Sequence, residues 1–189
     1  TCYSENLYVD YFFGKQASAE YVIGTRRGIS NKKPIIGQYD INREGSGDMY
    51  SKGANLLHTI RQLAKDDEVW RQTLRGLNEE FYHSTVTTKE IEDFISKSIG
   101  MDLSKVFDQY LRDVRVPVFE YEITNGELKY RWNNVIDGFD MPIEVIIDGK
   151  NTIINPSTEF KKIPIQNLFI NVDDDYYIFS KDLKIITQG

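Results

Sequence analysis

The sequence predicts an α+β chain whose two kinds of secondary structure are segregated: helices over 1–114, then a small all-β sandwich over 115–189. Three observations carry that reading. Apolar residues recur at three- and four-residue spacing through the first part. From Val118 onward apolar and polar residues alternate in runs short enough for strands. Between the two patterns lies Val116-Pro117, and proline disfavours helix for the residue before it. So short and stiff a junction implies that the two parts pack together.

Taken in order, Leu7, Tyr8, Tyr11 and Phe12 form a first helical stripe, ended by Gly14. Tyr21, Val22 and Thr25 continue in a second helix that ends near Gly28. Residues 31–47 contain Pro34, Gly37, Gly45 and Gly47 and read as a loop. A loop of that length in a compact domain is usually functional. The next helix starts near Asp48, its expected N-cap, and carries Leu56, Leu57, Ile60 and Leu63. Asp66 or Asp67 caps a fourth, with Val69, Trp70, Leu74, Leu77 and Phe81. Thr87 and Glu90 have capping-box spacing before Ile91, Phe94 and Ile95, and Gly100 closes that helix. Val106, Phe107, Tyr110 and Leu111 make the last stripe, with Tyr110 as a core position. No segment recurs at a fixed period, so a helical solenoid is not indicated.

The β part opens with Val118–Ile123. Asn125-Gly126 is a hairpin signal, and Leu128, Tyr130 and Trp132 alternate beyond it. Ile143, Val145 and Ile147 lead to a second such turn, Asp148-Gly149, with 152–154 returning. Further strands fit 158–163, 167–172 and 176–186. About seven short strands suggest a sandwich.

Composition narrows the function. Hydrophobic residues are 40% and aromatics 13%, enough for a packed core. A net charge of -6, with Lys and Arg scattered apart from Arg26-Arg27 and Lys32-Lys33, argues against nucleic acid as a partner. Cys2 is the one cysteine, which excludes an intrachain disulfide; beside Tyr3 it reads as a packing residue. No apolar stretch reaches the roughly 18 residues of a membrane span. The opening at Thr1 in mid-helix, without a starting Met, suggests part of a longer protein.

Self-sufficient catalytic motifs are missing. His58 and His83 have no metal-like neighbour four residues on, and no H-E-x-x-H, G-x-S-x-G or P-loop occurs. His58 reads as a packed or capping residue. Asp173-Asp174-Asp175 reads as a solvated turn rather than a calcium loop. Asp66-Asp67 and Glu79-Glu80 read as helix-end charges.

One stretch is more specific. Asp48-Met49-Tyr50-Ser51-Lys52-Gly53-Ala54-Asn55-Leu56-Leu57-His58-Thr59-Ile60-Arg61 resembles the Tyr-x-Lys-Gly-Ala helix of the membrane alanyl aminopeptidase family, a group of gluzincins. Thr1-Cys2-Tyr3-Ser4-Glu5 is similar to the tail of that family's W-x-x-E-G-F-x-x-Y-x-E helix. Tyr21-Val22 with Arg26-Arg27, Phe81-Tyr82-His83 with Val86-Thr87-Thr88, and Phe107-Asp108-Gln109-Tyr110-Leu111 resemble further segments in the same order.

The resemblance implies the helical C-terminal part of a thermolysin-like catalytic domain, followed by an immunoglobulin-like sandwich. It places all three zinc ligands and the general-base Glu upstream of Thr1. The fragment is then expected to hold no zinc and to be inactive alone, whereas the intact parent uses zinc to remove N-terminal residues from peptides. In such enzymes zinc polarises the scissile carbonyl and activates a water, and a further donor is wanted at the oxyanion. The resemblance maps that donor onto Tyr50. A tyrosine suits the role, because it stays protonated at neutral pH. Tyr50 also lies in the first turn of a helix, where the dipole favours developing negative charge. Lys52 and Gly53 are expected to serve local structure, Lys52 through an ion pair or carbonyl contact and Gly53 through a close helix approach. The expected partners are peptide substrates and the N-terminal remainder of the same catalytic domain, and family analogy points to an envelope or exported location. A second hypothesis stays open: a non-catalytic interaction or scaffold module descended from the same family.

Overall fold

The computed structural model describes residues 2–37, 45–64, 66–166 and 169–184. Its helices are α1 (Cys2–Phe13), α2 (Lys15–Gly24), α3 (Ser51–Leu63), α4 (Asp67–Glu80), α5 (Thr88–Ile99) and α6 (Ser104–Phe107). A 3-10 turn at Thr25–Gly28 follows α2, another at Gly47–Met49 precedes α3, and α6 widens into a π turn at Asp108–Arg112. The strands are β1 (Val118–Thr124), β2 (Glu127–Asn133), β3 (Ile143–Ile147), β4 (Lys150–Ile154), β5 (Lys161–Pro164), β6 (Ile170–Val172) and β7 (Phe179–Asp182). Helix gives way to strand between Arg112 and Val118. The last strands are shorter than the sequence suggests. Parts of those expected segments, 167–168 and 185–186, lie outside the described residues, as do 38–44 of the long loop.

Local chemistry sets the helix ends. Gly14, at φ 89°, breaks α1 from α2. The Asp66 carboxylate accepts the Val69 N–H at 2.9 Å and caps α4. Thr87 and Glu90 form the reciprocal capping box of α5, and Gly100 closes it in the left-handed region at φ 73°. Asp48 does not act as the cap of α3. The Ser46 hydroxyl accepts the Asp48 N–H instead, while the Asp48 carboxylate turns inward.

The face that α1 buries also differs from the expected stripe. Tyr3 and Asn6 are buried, whereas Tyr8, Tyr11, Phe12 and Phe13 are exposed. Polar contacts fix this orientation. Trp70 donates its indole N–H to the Tyr3 hydroxyl at 2.9 Å, and Ser18 donates to the Asn6 side chain at 3.0 Å. Arg61 meets Asp10 at 2.7 Å on the same face. Of the expected stripe only Leu7 packs against the core, while the buried Tyr3–Trp70 and Asn6–Ser18 pairs and the half-buried Arg61–Asp10 pair lie on the face turned inward.

The strands form a four-stranded sheet, β5-β2-β1-β7, and a three-stranded sheet, β4-β3-β6. All pairings are antiparallel except β1 with β7. Both hairpin turns have positive φ at their central residues: Asn125 at 52° and Gly126 at 76°, Asp148 at 53° and Gly149 at 76°. That pattern belongs to the tight turn whose twist matches paired strands. Leu128, Tyr130 and Trp132 of β2 point inward, and the Trp132 indole donates to the Met141 carbonyl at 3.0 Å. Burying each such side chain contributes roughly 1.5–3 kcal/mol.

Helices and sheets share one apolar cluster that runs from Trp70 and Ile60 through Phe107, Tyr110 and Val116 to Phe119 and Trp132. Buried Gln109 stitches the junction: its amide donates to the Arg115 carbonyl and accepts from the Ile136 N–H, each at 2.8 Å. Among the described residues no helix is long and apolar enough to cross a membrane.

Candidate functional site

The long loop is pinched shut at its described ends. Ser46 N–H donates to the Pro34 carbonyl, and Ile36 N–H to the Leu111 carbonyl, both at 3.0 Å. Gly45 passes so close to Ile35 that a Cβ there would overlap the Ile35 carbonyl oxygen, so no larger residue fits without moving the backbone. Beyond the pinch, Asp48 accepts the N–H groups of Ser30 and Asn31 at 2.9 and 2.8 Å. Burial raises the Asp48 pKa, but these backbone donors overcome it and hold the carboxyl below its ordinary range. Asp48 is thus a buried anchor for the turn that presents Tyr50.

Tyr50 sits between that turn and α3. Its own N–H bonds to the Gly47 carbonyl, and its carbonyl accepts from Ala54 at 3.0 Å. The backbone is therefore hydrogen-bonded on both sides, while the residue is 57% exposed. Its hydroxyl has no hydrogen-bond partner among the described residues. No side chain caps α3.

The ring stands at the rim of a groove of about 390 Å³. Ile35, Met49, Leu57, Ile91 and Leu111 give it apolar walls, and Cys2 and Tyr3 of α1 line it as well. Glu92 also lines it, with its carboxylate held by Arg112 at 2.8 Å. Tyr3 is buried, and desolvation pushes its hydroxyl up to about 12, so it stays protonated. Segments distant in sequence build this groove, and no local spacing announces it.

Lys52 makes a carbonyl contact, donating from Nζ to the Asp113 carbonyl at 3.0 Å. Burial pushes its ammonium pKa down, opposed by the carboxylates of Asp48 and Asp113. This ties α3 to the segment after the π turn. Gly53 mediates no close helix approach among the described residues: apart from its chain neighbours and its own helix's backbone, no atom lies within 4 Å of where its Cβ would be. It lines the groove instead. Glycine within a helix costs roughly 0.5–1 kcal/mol relative to alanine, and no packing here offsets that.

The acidic turn 173–175 is not simply solvated. Asp175 lies 3.0 Å from His58 Nε2, and this partner holds its carboxyl below the usual range against the effect of burial. Desolvation raises Asp173, and only Asp174 is exposed. The next residues form a strap over α3. Tyr177 N–H donates to the Thr59 hydroxyl at 2.9 Å, and its carbonyl accepts from the Tyr110 hydroxyl at 2.7 Å. Asn31 donates to the Tyr177 hydroxyl at 3.0 Å, and Arg26 lies 5.4 Å from the ring centre. Tyr110 is fully buried, the core position its spacing indicates.

These placements bear on metal binding. His58 is committed to Asp175, His83 lies in an exposed turn, and Cys2 is half-buried on α1. Among the described residues no three His, Cys, Asp or Glu side chains gather as a metal site. His58, His83 and Cys2 are therefore not gathered into one cluster. A second cavity, of about 360 Å³, lies between α1, α3 and α4, but Arg61 there is held by Asp10 and Asp67, and Lys15 by Asp67.

No family model matches the chain. No curated protein matches it. Among solved structures, the chain is similar to Legionella pneumophila aminopeptidase A, crystallised in complex with aspartic acid, at 13% identity and a TM-score of 0.60. The match covers 95% of this chain and 23% of that protein, so the chain spans less than a quarter of its length. At that identity the likeness is one of fold.

Proposed function

We propose that this chain is the C-terminal part of a zinc metallo-aminopeptidase catalytic region, thermolysin-like in its helices, together with an immunoglobulin-like sandwich built from the two sheets. In this reading the metal ligands and general base belong to sequence outside these 189 residues, and the chain alone does not hydrolyse peptides. Its contribution to the chemistry is Tyr50, which donates a hydrogen bond to the oxyanion formed at the scissile carbonyl.

The observation that carries the reading is the Tyr50 hydroxyl, which has no partner among the described residues and lines a groove while the backbone beneath it is fixed. A donor used only in the transition state must be preorganised and otherwise unoccupied. The start of α3 adds the positive end of a helix dipole. The fold likeness to an aminopeptidase more than four times as long is consistent with a part of such an enzyme.

The test is Tyr50→Phe in the intact parent polypeptide. Loss of one oxyanion donor costs roughly 2.7–4 kcal/mol, or two to three orders of magnitude in kcat. KM should stay within a few-fold, because ground-state binding does not use the hydroxyl. Tyr110→Phe, outside the groove, is the control and should leave the rate almost unchanged. A folded, zinc-loaded Tyr50→Phe enzyme with near-full kcat would remove Tyr50 from the chemistry.

A further inference from the structure

Lys52 carries a charge where packing alone does not call for one. It is 1% exposed, two positions after Tyr50, and its Nζ donates to the Asp113 carbonyl at 3.0 Å. Among the described residues no carboxylate is in contact with it. Burying an ammonium is costly, and a methionine would fill much the same space without that cost. The charge instead reaches the end of the π turn, where a helix leaves its last carbonyls without partners and its dipole is negative. In the same turn the Leu111 carbonyl accepts the Ile36 N–H at 3.0 Å. The long loop that precedes Tyr50 and the helix that follows it are thus tied to one helix end.

That end is held in turn from the sandwich. Arg115 grips the Asp113 carboxylate with its backbone N–H at 2.7 Å, its Nε at 2.9 Å and its Nη2 at 3.0 Å. Its remaining arm, Nη1, donates to the Val135 carbonyl at 2.7 Å. The Asn134 side chain donates to the Val116 carbonyl at 2.9 Å, and Gln109 bridges Arg115 and Ile136. Residues 134–136 lie between β2 and β3. A continuous line of contacts therefore runs from the sandwich through Arg115 and Asp113 to Lys52. Because Arg115 fixes Asp113 on three atoms, it also aims the carbonyl that Lys52 uses.

We propose that this line is a positioning clamp: through Arg115, Asp113 and Lys52 the sandwich sets where the first turn of α3 places the Tyr50 hydroxyl. The catalytic consequence rests on the peptidase reading, whereas the clamp itself does not. Arg115 and Lys52 are positioning residues that act through Tyr50. The fork of Arg115 suits the task, since one guanidinium holds a carboxylate and a carbonyl at once.

Two measurements test the clamp. In the 189-residue chain, hydrogen exchange followed by NMR reads the Ala54 amide, which bonds to the Tyr50 carbonyl at 3.0 Å. Arg115→Ala, at a half-exposed side chain, and Lys52→Met should each speed exchange at Ala54 about tenfold while leaving the Ile60 and Trp132 amides unchanged. Arg115→Ala suffices if Lys52→Met does not fold. Unchanged exchange at Ala54, or an equal rise at Ile60 and Trp132, would overturn the clamp, the latter because it marks a general loss of stability. In the intact parent, Arg115→Ala should lower kcat about tenfold with KM within a few-fold, and should add nothing in a Tyr50→Phe background. Full kcat in Arg115→Ala, or additive losses in the double variant, would overturn the link to Tyr50. Full kcat in Tyr50→Phe would instead refute the oxyanion role and leave the clamp read by exchange intact.

Discussion

Replacing Tyr110 by phenylalanine removes one oxygen atom from the contact between helices and sheets. Tyr110 is fully buried, and its hydroxyl donates to the Tyr177 carbonyl at 2.7 Å. Phenylalanine keeps the ring, so packing changes little. The Tyr177 carbonyl, however, is left buried without its donor, since no other bond to it occurs among the described residues. Stranding a buried polar group costs roughly 1–3 kcal/mol. For a chain of this size each kcal/mol lowers Tm by about 2–4 °C. Thr59→Val strands the other backbone polar group of the same residue, the Tyr177 N–H, at nearly constant volume. Urea unfolding followed by far-UV circular dichroism should place both variants about 1–3 kcal/mol below wild type with unchanged m values. Because both act on one residue, the double variant should lose less than the sum. Should both single variants fall within about 0.5 kcal/mol of wild type, near the ordinary spread for surface changes, the strap would not be an energetic link.

Two further outcomes follow from the charges. The Arg61 hydrogen bond, with help from Lys15 and against burial, depresses the Asp67 pKa far below that of a free carboxylate. A folded-state pKa below the unfolded one stabilises at pH above about 4 and loses that contribution as pH falls further. Asp67→Asn should therefore lower stability near neutral pH by roughly 1.5–3 kcal/mol and flatten the decline below pH 4, measured by urea midpoints against pH. Calorimetric titration of the 189-residue chain with zinc should give no tight one-to-one binding, since its histidines and cysteine stand on separate elements; a stoichiometric site would contradict the reading that the ligands lie elsewhere.

The sequence is most informative where structure is local. Period-two alternation marked β1, β2 and β3, and the Asn125-Gly126 and Asp148-Gly149 turns adopt the positive φ angles those pairs favour. Thr87 and Glu90 close the capping box their spacing implies. Reading failed where long-range polar contacts decide. The exposed rings of α1 have helical spacing, yet Trp70, Ser18 and Arg61 turn the opposite face inward. Asp175 looks like one of three solvent-facing acids until His58 is placed beside it. For the candidate site, Tyr50 was indicated by a family pattern rather than by spacing. Gly53 looked like a packing glycine because a sequence does not show what lies above a helix.

The strap also has a temporal meaning. Thr59 and Tyr177 are separated by 118 positions, and His58 and Asp175 by 117. A ribosome adding roughly 5–20 residues per second makes that stretch in about 6–24 s. Through that interval α3 is complete in sequence but lacks partners for Thr59 and His58. The helical half therefore emerges with an unsatisfied polar seam, and its final closure waits on the connection between β6 and β7. Vectorial synthesis thus imposes a delay of seconds between secondary structure and the finished interface, an interval in which a chaperone has time to hold the seam.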